Sequence, residues 1–317
     1  LSYNMLLKYK NIPIFYSPFM SYPLTDKRQS GILTPSFGSS GDGGTALSIP
    51  YYFNLAQNYD ATIEVTSHSD RGVLFDNEFR YMGHNETRSL INFAHLENDD
   101  EYGDDRYLYA LTDRRRLFDS EGLTMTSFVS YSRVSDLEYF DDFGNSLSTA
   151  SQSSVKRDIR IYGEKYFKGG IIDYEISSLS YQPSQPGVSS QYKTSPSIKL
   201  NINNFSQNKA IRFNLKTSIE EFKHKDNTQT EGTRYLAYPS IEMPIRTEGW
   251  ELTPKFGVRY IDYNLDNNIS SKSKTTPIAS LRGKLYLEKN VGNNLYTMEP
   301  EAYLLYIPVG NQDSNPI

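Results

Sequence analysis

Apolar and polar residues alternate along this chain from about residue 31 onward, in stretches separated by alternately short and long polar connections. The clearest stretch is Ile211–Phe222. One face holds Ile211, Phe213, Leu215, Thr217 and Ile219, and the other holds Arg212, Asn214, Lys216, Ser218 and Glu220. This period of two predicts a β-strand with one face on an apolar phase and the other in water. Because no helical pattern offers a covering layer, the repeated alternation indicates a transmembrane β-barrel, with lipid outside and water within.

The alternation predicts about fifteen strands. They cover residues 31–37, 44–53, 58–68, 71–83, 87–97, 105–116, 122–135, 151–166, 169–182, 191–204, 208–224, 230–245, 249–263, 275–289 and 295–307. Most exceed the roughly 9–11 residues that a tilted strand needs to cross a bilayer. Short turns alternate with long loops, which is typical of an up-and-down barrel in the outer membrane. The hairpin at Ser69–Gly72 departs from this rule, because it is short where a long loop is due.

Composition excludes several classes of protein. Mean hydropathy is −0.60, and no apolar stretch approaches the roughly 18 residues of a membrane-spanning helix. A polar lumen lowers the average, so a barrel is compatible with this value. The 26 tyrosines suit the aromatic girdles of a barrel. A net charge of −5 argues against nucleic-acid binding, and the absence of cysteine excludes a disulfide in these residues.

The predicted barrel is incomplete. Single-chain bacterial barrels close with an even number of strands, and about fifteen is odd. The sequence predicts a loop over Val309–Ile317, without a closing strand. Because unpaired strand edges are costly in hydrocarbon, we expect the remaining strands to lie outside this sequence.

Several segments resemble one family in collinear order. They are Ile12–Pro18, Tyr22-Pro23, Asp26–Leu33, Pro35, Leu47–Tyr52, Tyr59–Ile63, Asn77–Tyr81, Val134–Asp136, Tyr139-Phe140, Asp142-Phe143, Met298–Pro300 and Tyr303–Tyr306. Together they look like the lipopolysaccharide-assembly protein LptD family, across the passage from its periplasmic domain into its barrel.

The resemblance implies a concrete role. LptD-like proteins are outer-membrane barrels of about twenty-six strands, within the size range of known barrels. A periplasmic β-jellyroll feeds the barrel with lipopolysaccharide, and the lipoprotein LptE plugs the lumen. The cargo leaves through a lateral seam between the first and last strands. Residues 1–24 would be the last jellyroll strand and the linker, and residues 25–317 the first part of the barrel. Periplasmic bridge proteins would act through the jellyroll.

Two prolines are the predicted site. Pro35 lies at the end of the first predicted strand and Pro50 within the second. Proline has no backbone N–H, so each removes a hydrogen bond from the ladder. The resemblance implies that Pro35 and Pro50 belong to a lateral gate beside the seam. Without the resemblance, both residues would be interpreted as ordinary prolines near strand ends, like Pro239 and Pro277.

The sequence also bears on other functions. The acidic loops around Asp99–Asp105 and Asp136–Asp142 offer oxygen ligands but lack EF-hand spacing, so we predict no metal and no cofactor. The four histidines are scattered and no hydrolase motif is present, so we predict no enzyme. The alternatives are another outer-membrane barrel, either a porin-like channel or a barrel hydrolase, and a soluble β-rich adhesin.

Overall fold

The computed structural model describes residues 2–9, 12–20, 28–40, 44–144, 152–204, 211–266 and 271–310. The chain divides into two compact units. The first comprises Leu1–Asp113 and Ser132–Gln152, and the second comprises Arg114–Tyr131 and Ser153–Ile317. Two strands, β9 (Arg106–Ser120) and β10 (Leu123–Val134), contribute residues to both units, and every other element belongs to one of them.

The first unit consists of short and medium-length strands with one short helix. Its elements are β1 (Ser2–Tyr9), β2 (Ile12–Met20), β3 (Gly31–Ile32), β4 (Ser36–Ser40), β5 (Gly44–Phe53), β6 (Tyr59–His68), β7 (Gly72–Met82), β8 (Arg88–Leu96), part of β9 (Arg106–Ser120), the end of β10 (Leu123–Val134), and α1 (Tyr139–Phe143). β1 and β2 pair with each other as a two-stranded sheet. β3 and β4 both pair with β5, and β5 through β8 pair in sequence order, all antiparallel.

The second unit is a meander of longer strands. After the middle of β10 come β11 (Ser154–Phe167), β12 (Gly170–Pro183), β13 (Lys193–Asn204), β14 (Arg212–Lys223), β15 (Gly232–Glu242), β16 (Ile245–Arg246), β17 (Trp250–Leu265), β18 (Lys272–Leu285), β19 (Leu287–Val291), β20 (Asn294–Met298) and β21 (Glu301–Tyr306). Neighbours pair antiparallel from β10 to β15, then β15 with β17, β17 with β18, and β18 with β21. β16 adds to β17, and β19 with β20 forms a separate hairpin.

Apolar side chains in the second unit are exposed in rows that cross the strands. The row runs through Ile161, Ile176, Ile198, Ile219 and Tyr235, each directly opposite the next on β11 to β15. All five are exposed. β-branched residues favour the pleated strand conformation, which explains why the row forms. A continuous exposed apolar row is what a lipid-facing surface requires.

The neighbouring row is polar and largely buried. Ser197, Glu220 and Arg234 are successive register partners on β13, β14 and β15. Glu220 is 9% exposed, accepts a hydrogen bond from Ser197 Oγ at 3.2 Å and pairs with Arg234 Nη2 at 2.5 Å. Apolar residues outside and paired polar residues inside reverse the distribution of a water-soluble domain.

The first unit has the same reversed distribution. Leu47, Ile49 and Phe75 are exposed, whereas Thr66 is buried. The hydroxyl of Thr66 lies 2.6 Å from that of Ser48, its register partner on β5. In both units, therefore, alternation sorts apolar residues to the exposed face and polar residues to the other.

The predicted all-β, antiparallel fold class is confirmed. The predicted strand over residues 44–53 coincides with β5, and most other boundaries agree within a few residues. Four predicted strands are interrupted, and they correspond to the pairs β3 with β4, β15 with β16, β18 with β19, and β20 with β21. Among the described residues, no helix has the length and apolar character needed to span a membrane.

Residues 1–24 differ from the expectation. We predicted one strand there, and the structure has two, β1 and β2, paired with a register shift between Leu7 and Lys8. The assignment of this stretch to a jellyroll stays a prediction. The long loop predicted after Asp136 contains α1, which sequence alternation could not reveal because the helix is only five residues long.

Candidate functional site

The first candidate site lies where β3 and β4 pair with β5. The pairing is irregular at residues 33–35 and at Pro50, and we call these residues the proline junction. Ile32 lies opposite Tyr51, and Ser36 lies opposite Ser48. One strand thus has an extra residue between these pairs, as in a β-bulge. The junction separates β3 from β4.

Pro50 removes a backbone hydrogen bond at this junction. The N–H of Leu33 donates to the carbonyl oxygen of Pro50 at 2.9 Å. An ordinary pair of this type exchanges two bonds, but Pro50 has no N–H to donate to Leu33. The pair is therefore held by one bond instead of two.

Pro35 lies in the interruption between β3 and β4, rather than at the end of one continuous strand. The other edge of β5 pairs regularly with β6, and Pro50 lies opposite Glu64 in that pairing. The structure thus brings both predicted residues, Pro35 and Pro50, to the place where β3 and β4 pair with β5. Their role as a lateral gate stays a prediction.

A second candidate site is a buried ionic network, which we call the arginine cluster (Arg71, Arg106, Asp99, Asp136 and Asp142). Arg106, at the start of β9, is 0% exposed. Its Nε and Nη2 atoms donate to the two carboxylate oxygens of Asp136 at 2.6 and 2.9 Å. Its Nη1 atom donates to Asp142 at 2.8 Å and to Asp99 at 3.3 Å. A planar guanidinium is suited to such multiple, directed contacts.

Arg71 contributes the second cation. It lies within the short hairpin at Ser69–Gly72 and donates to Asp99 at 2.9 Å through Nη1. Its Nη2 atom lies 2.9 Å from Asp142 and 3.2 Å from the exposed Glu101. Asp99 and Asp142 each bind both arginines, so the network is continuous.

Aromatic rings enclose the Arg106 guanidinium. Its central carbon lies 4.4 Å from the ring centroid of Tyr102 and 5.1 Å from that of Phe143. The buried ring of Tyr139, in α1, has its centroid 5.9 Å from the same carbon. These contacts add cation–π attraction to the ion pairs, and they fix α1 against the strand ends.

The loop before β9 is also organised by Asp99. Its Oδ1 atom accepts hydrogen bonds from the backbone N–H groups of Glu101 and Tyr102 at 3.0 and 3.2 Å. Burial alone would raise the pKa of Asp99, but the hydrogen bonds from Arg71 and from these two N–H groups outweigh it. The pKa of Asp99 is therefore held below its ordinary value.

The acidic loops use their buried carboxylates to bind arginine. Among the residues that the structure describes, no group of three or more histidine, aspartate or glutamate side chains is placed to hold a metal ion. Sequence reasoning missed Arg71 and Arg106. A signal was present, because residues 97–105 and 135–144 contain many carboxylates and neither lysine nor arginine. Positive charges to pair with these carboxylates therefore had to come from elsewhere in the chain.

The strands are antiparallel and amphipathic, with apolar residues exposed and polar residues buried. These features define the class of outer-membrane β-barrel proteins. A profile of the family described as LPS transport system D, LptD, matches residues 104–317. The chain therefore belongs to the LptD family. This assignment confirms the resemblance seen in the sequence.

Named relatives agree with the profile. The LPS-assembly protein LptD of Azoarcus sp. (strain BH72) is 30% identical over 98% of this chain and 39% of its own length. The proteins of the same name from Bordetella avium (strain 197N) and Pseudomonas aeruginosa (strain LESB58) are 32% and 29% identical over 99% of this chain, and over 41% and 38% of their own lengths. The chain thus spans about two fifths of these relatives.

Proposed function

We propose that this chain is part of an outer-membrane translocon that inserts lipopolysaccharide into the outer leaflet through a lateral seam beside the first barrel strand. The observation that carries the proposal is the Leu33–Pro50 pair, which has one backbone hydrogen bond where two are usual. The relatives are named for lipopolysaccharide assembly, and their name supports the choice of cargo.

The proline junction supplies a reason for the seam to open at this strand. β3 has two residues and β4 has five, so each holds β5 through few bonds. A backbone hydrogen bond contributes a net of about 0.5–1.5 kcal/mol. The bond that Pro50 cannot donate would thus lower the cost of displacing the first strand by about 0.5–1.5 kcal/mol. Beyond the junction, eight residues of β5 pair without interruption with β6, so displacement can remain local.

The proposal includes location and partners. The exposed apolar row from Ile161 to Tyr235 would contact acyl chains, and the polar row of Ser197, Glu220 and Arg234 would face the lumen. The N-terminal end would lie in the periplasm, where a jellyroll receives lipopolysaccharide from bridge proteins. The lipoprotein LptE would plug the lumen. We propose no enzymatic step.

Replacing Pro35 and Pro50 with alanine in the full-length protein tests the gate. Alanine restores an N–H at each position, so the first strand should hold β5 more tightly. We expect surface lipopolysaccharide to fall several-fold at equal levels of folded protein in the outer membrane. Undiminished delivery by the double variant would remove the proline junction from the mechanism.

Pro239 and Pro277 provide the matched control. They lie inside regular ladders, opposite Leu215 and Val258 respectively. A Pro239→Ala, Pro277→Ala double variant also adds two N–H groups, but far along the chain from the junction. Lipopolysaccharide delivery by this control should equal that of the unmodified protein.

A further inference from the structure

A buried carboxylate lies close to the proline junction and binds two arginines. Asp60, near the start of β6, is 6% exposed. Its Oδ2 atom accepts from Arg28 Nη1 at 2.7 Å and from the Tyr52 hydroxyl at 3.0 Å. Its Oδ1 atom accepts from Arg80 Nε at 2.6 Å. We call Arg28, Asp60 and Arg80 the Asp60 clamp.

The two arginines reach Asp60 from different places. Arg80 lies directly opposite Asp60 in the register of β6 and β7, so this ion pair joins two strands that are already paired. Arg28 lies 32 positions before Asp60 and immediately precedes the strand that the prolines weaken. Of the two ion pairs on Asp60, the one with Arg28 therefore ties the residues before β3 to the sheet.

Arg28 is also fixed to the turn between β5 and β6. Its Nη2 atom donates to the carbonyl oxygens of Ala56 and Gln57 at 3.2 and 2.5 Å. The side-chain amide of Asn54 donates to the carbonyl oxygen of Arg28 at 3.0 Å. The Asn54 N–H donates to Ser30 Oγ at 2.8 Å. Residues 28–30 are thus held by one ion pair and four further hydrogen bonds.

We propose that Arg28 is a positioning residue, held by Asp60, that anchors the start of β3 and confines strand opening to the residues after it. The weak Leu33–Pro50 pair begins only three residues beyond Ser30. Strong attachment on one side and a missing bond on the other make Gly31–Ile32 the hinge. The inference rests on the proposed lateral gate, because it assigns the fixed end of the strand that moves.

Hydrogen exchange in the full-length protein, reconstituted in lipid nanodiscs, tests the anchor. The Leu33 N–H reports directly on the junction, since it donates to Pro50. We expect Arg28→Gln and Asp60→Asn to accelerate exchange over residues 31–33 about tenfold. Arg28→Lys, which keeps the charge but loses the forked contacts, should give an intermediate rate.

Arg80→Gln is the matched control, because it removes the other cation from the same carboxylate. This substitution should change the rate of hydrogen exchange over residues 31–33 less than twofold. Amides in the middle of β6 should be unchanged in Arg28→Gln, which separates a local anchor from general loosening. Equal acceleration in Arg28→Gln and Arg80→Gln would overturn the proposal, as would no acceleration in Arg28→Gln.

Lipopolysaccharide delivery, measured on the same variants, separates the anchor from the gate. If exchange over residues 31–33 changes as expected while Arg28→Gln and the proline variants leave delivery unaltered, the anchor stands and the gate function is wrong. If the proline variants alter delivery while Arg28→Gln leaves exchange unaltered, the gate stands and the anchor is wrong.

Discussion

Ile198 of β13 lies directly opposite Ile219 of β14, and the two side chains are 43% and 44% exposed. Exposed, directly opposed isoleucines on long neighbouring strands would be a liability in water, where they invite aggregation. In a bilayer the same surface is satisfied by acyl chains. The pair therefore identifies the lipid-facing side of the second unit.

Ile219→Lys should weaken the folded protein in lipid. A lysine on the lipid face of a barrel strand costs about 2–4 kcal/mol near the bilayer midplane. We expect a loss of this size in the free energy of unfolding, measured by urea titration of the full-length protein in liposomes.

Asn214→Lys is the control for this substitution. Asn214 lies on the same strand, opposite Asn203 and Ser240, on the polar side of the alternation. Its replacement should change the unfolding free energy by less than about 1 kcal/mol, because the lysine meets water. Similar losses in both variants would contradict the assignment of faces.

Gly163→Ala should destabilise the sheet of the second unit. Gly163 lies between Met125 and Tyr174 in the register, and the Tyr174 hydroxyl crosses it to donate to the Thr124 carbonyl oxygen at 2.6 Å. A Cβ at this position would lie 1.9 Å from that carbonyl oxygen. The backbone must shift, which costs about 1–3 kcal/mol, and thermal unfolding in detergent measures it.

Gly283→Ala provides the comparison for Gly163→Ala. Gly283 also lies inside a strand, but a Cβ there would meet only Leu252 Cδ1, at 3.8 Å. Its replacement should leave the unfolding temperature unchanged or raise it, because alanine reduces the freedom of the unfolded chain. Equal effects at both glycines would mean that the close approach of the Thr124 carbonyl oxygen to Gly163 is unimportant.

Local patterns in the sequence were sufficient to predict most strands. Alternation in Ile211–Phe222 predicts β14, and its exposed Phe213 and Ile219 lie on the predicted apolar face. The prediction succeeds because the period of two is a property of the strand itself. The break at the proline junction was only partly foreseen. Proline marks the missing donor, but the extra residue depends on how β3 and β4 pair with β5.

Contacts between residues far apart in the sequence were beyond the reach of such patterns. Arg106 and Asp142 are 36 positions apart, and Arg71 and Asp99 are 28 apart. Neither arginine differs locally from a solvated one. Their burial arises because folding brings the two acidic loops and the short hairpin at Ser69–Gly72 together.

The loop before β9 should respond to acid through Asp99. A carboxylate with a folded-state pKa below its unfolded value, about 3.9, stabilises the fold above that pH. This contribution is lost as the pH falls through the folded-state pKa. We expect hydrogen exchange at Glu101 and Tyr102, corrected for the intrinsic rate, to be constant from pH 7 to about 5 and to accelerate below about 4.

Asp99→Asn tests the origin of that acid response. The amide keeps the size of the side chain but has no charge to lose. Protection of Glu101 and Tyr102 should be lower at neutral pH and nearly independent of pH. An unchanged acid response in this variant would assign it to another carboxylate of the arginine cluster.

Arg106→Gln should open the loops that meet at α1. The substitution leaves Asp136 without its two-point partner and leaves Arg71 as the remaining cation of the arginine cluster. Removing one partner from a buried ion pair costs about 3–5 kcal/mol, because the other charge stays buried. We expect a loss of this size in the free energy of local opening at Tyr139 and Phe140, measured by native-state hydrogen exchange. Arg116→Gln is the control, since its ion pair with Asp119 is partly exposed, with 31% and 54% of the two side chains accessible, and is worth at most about 1 kcal/mol. If Arg106→Gln lowered local stability no more than Arg116→Gln did, the cluster would not be what holds α1 in place.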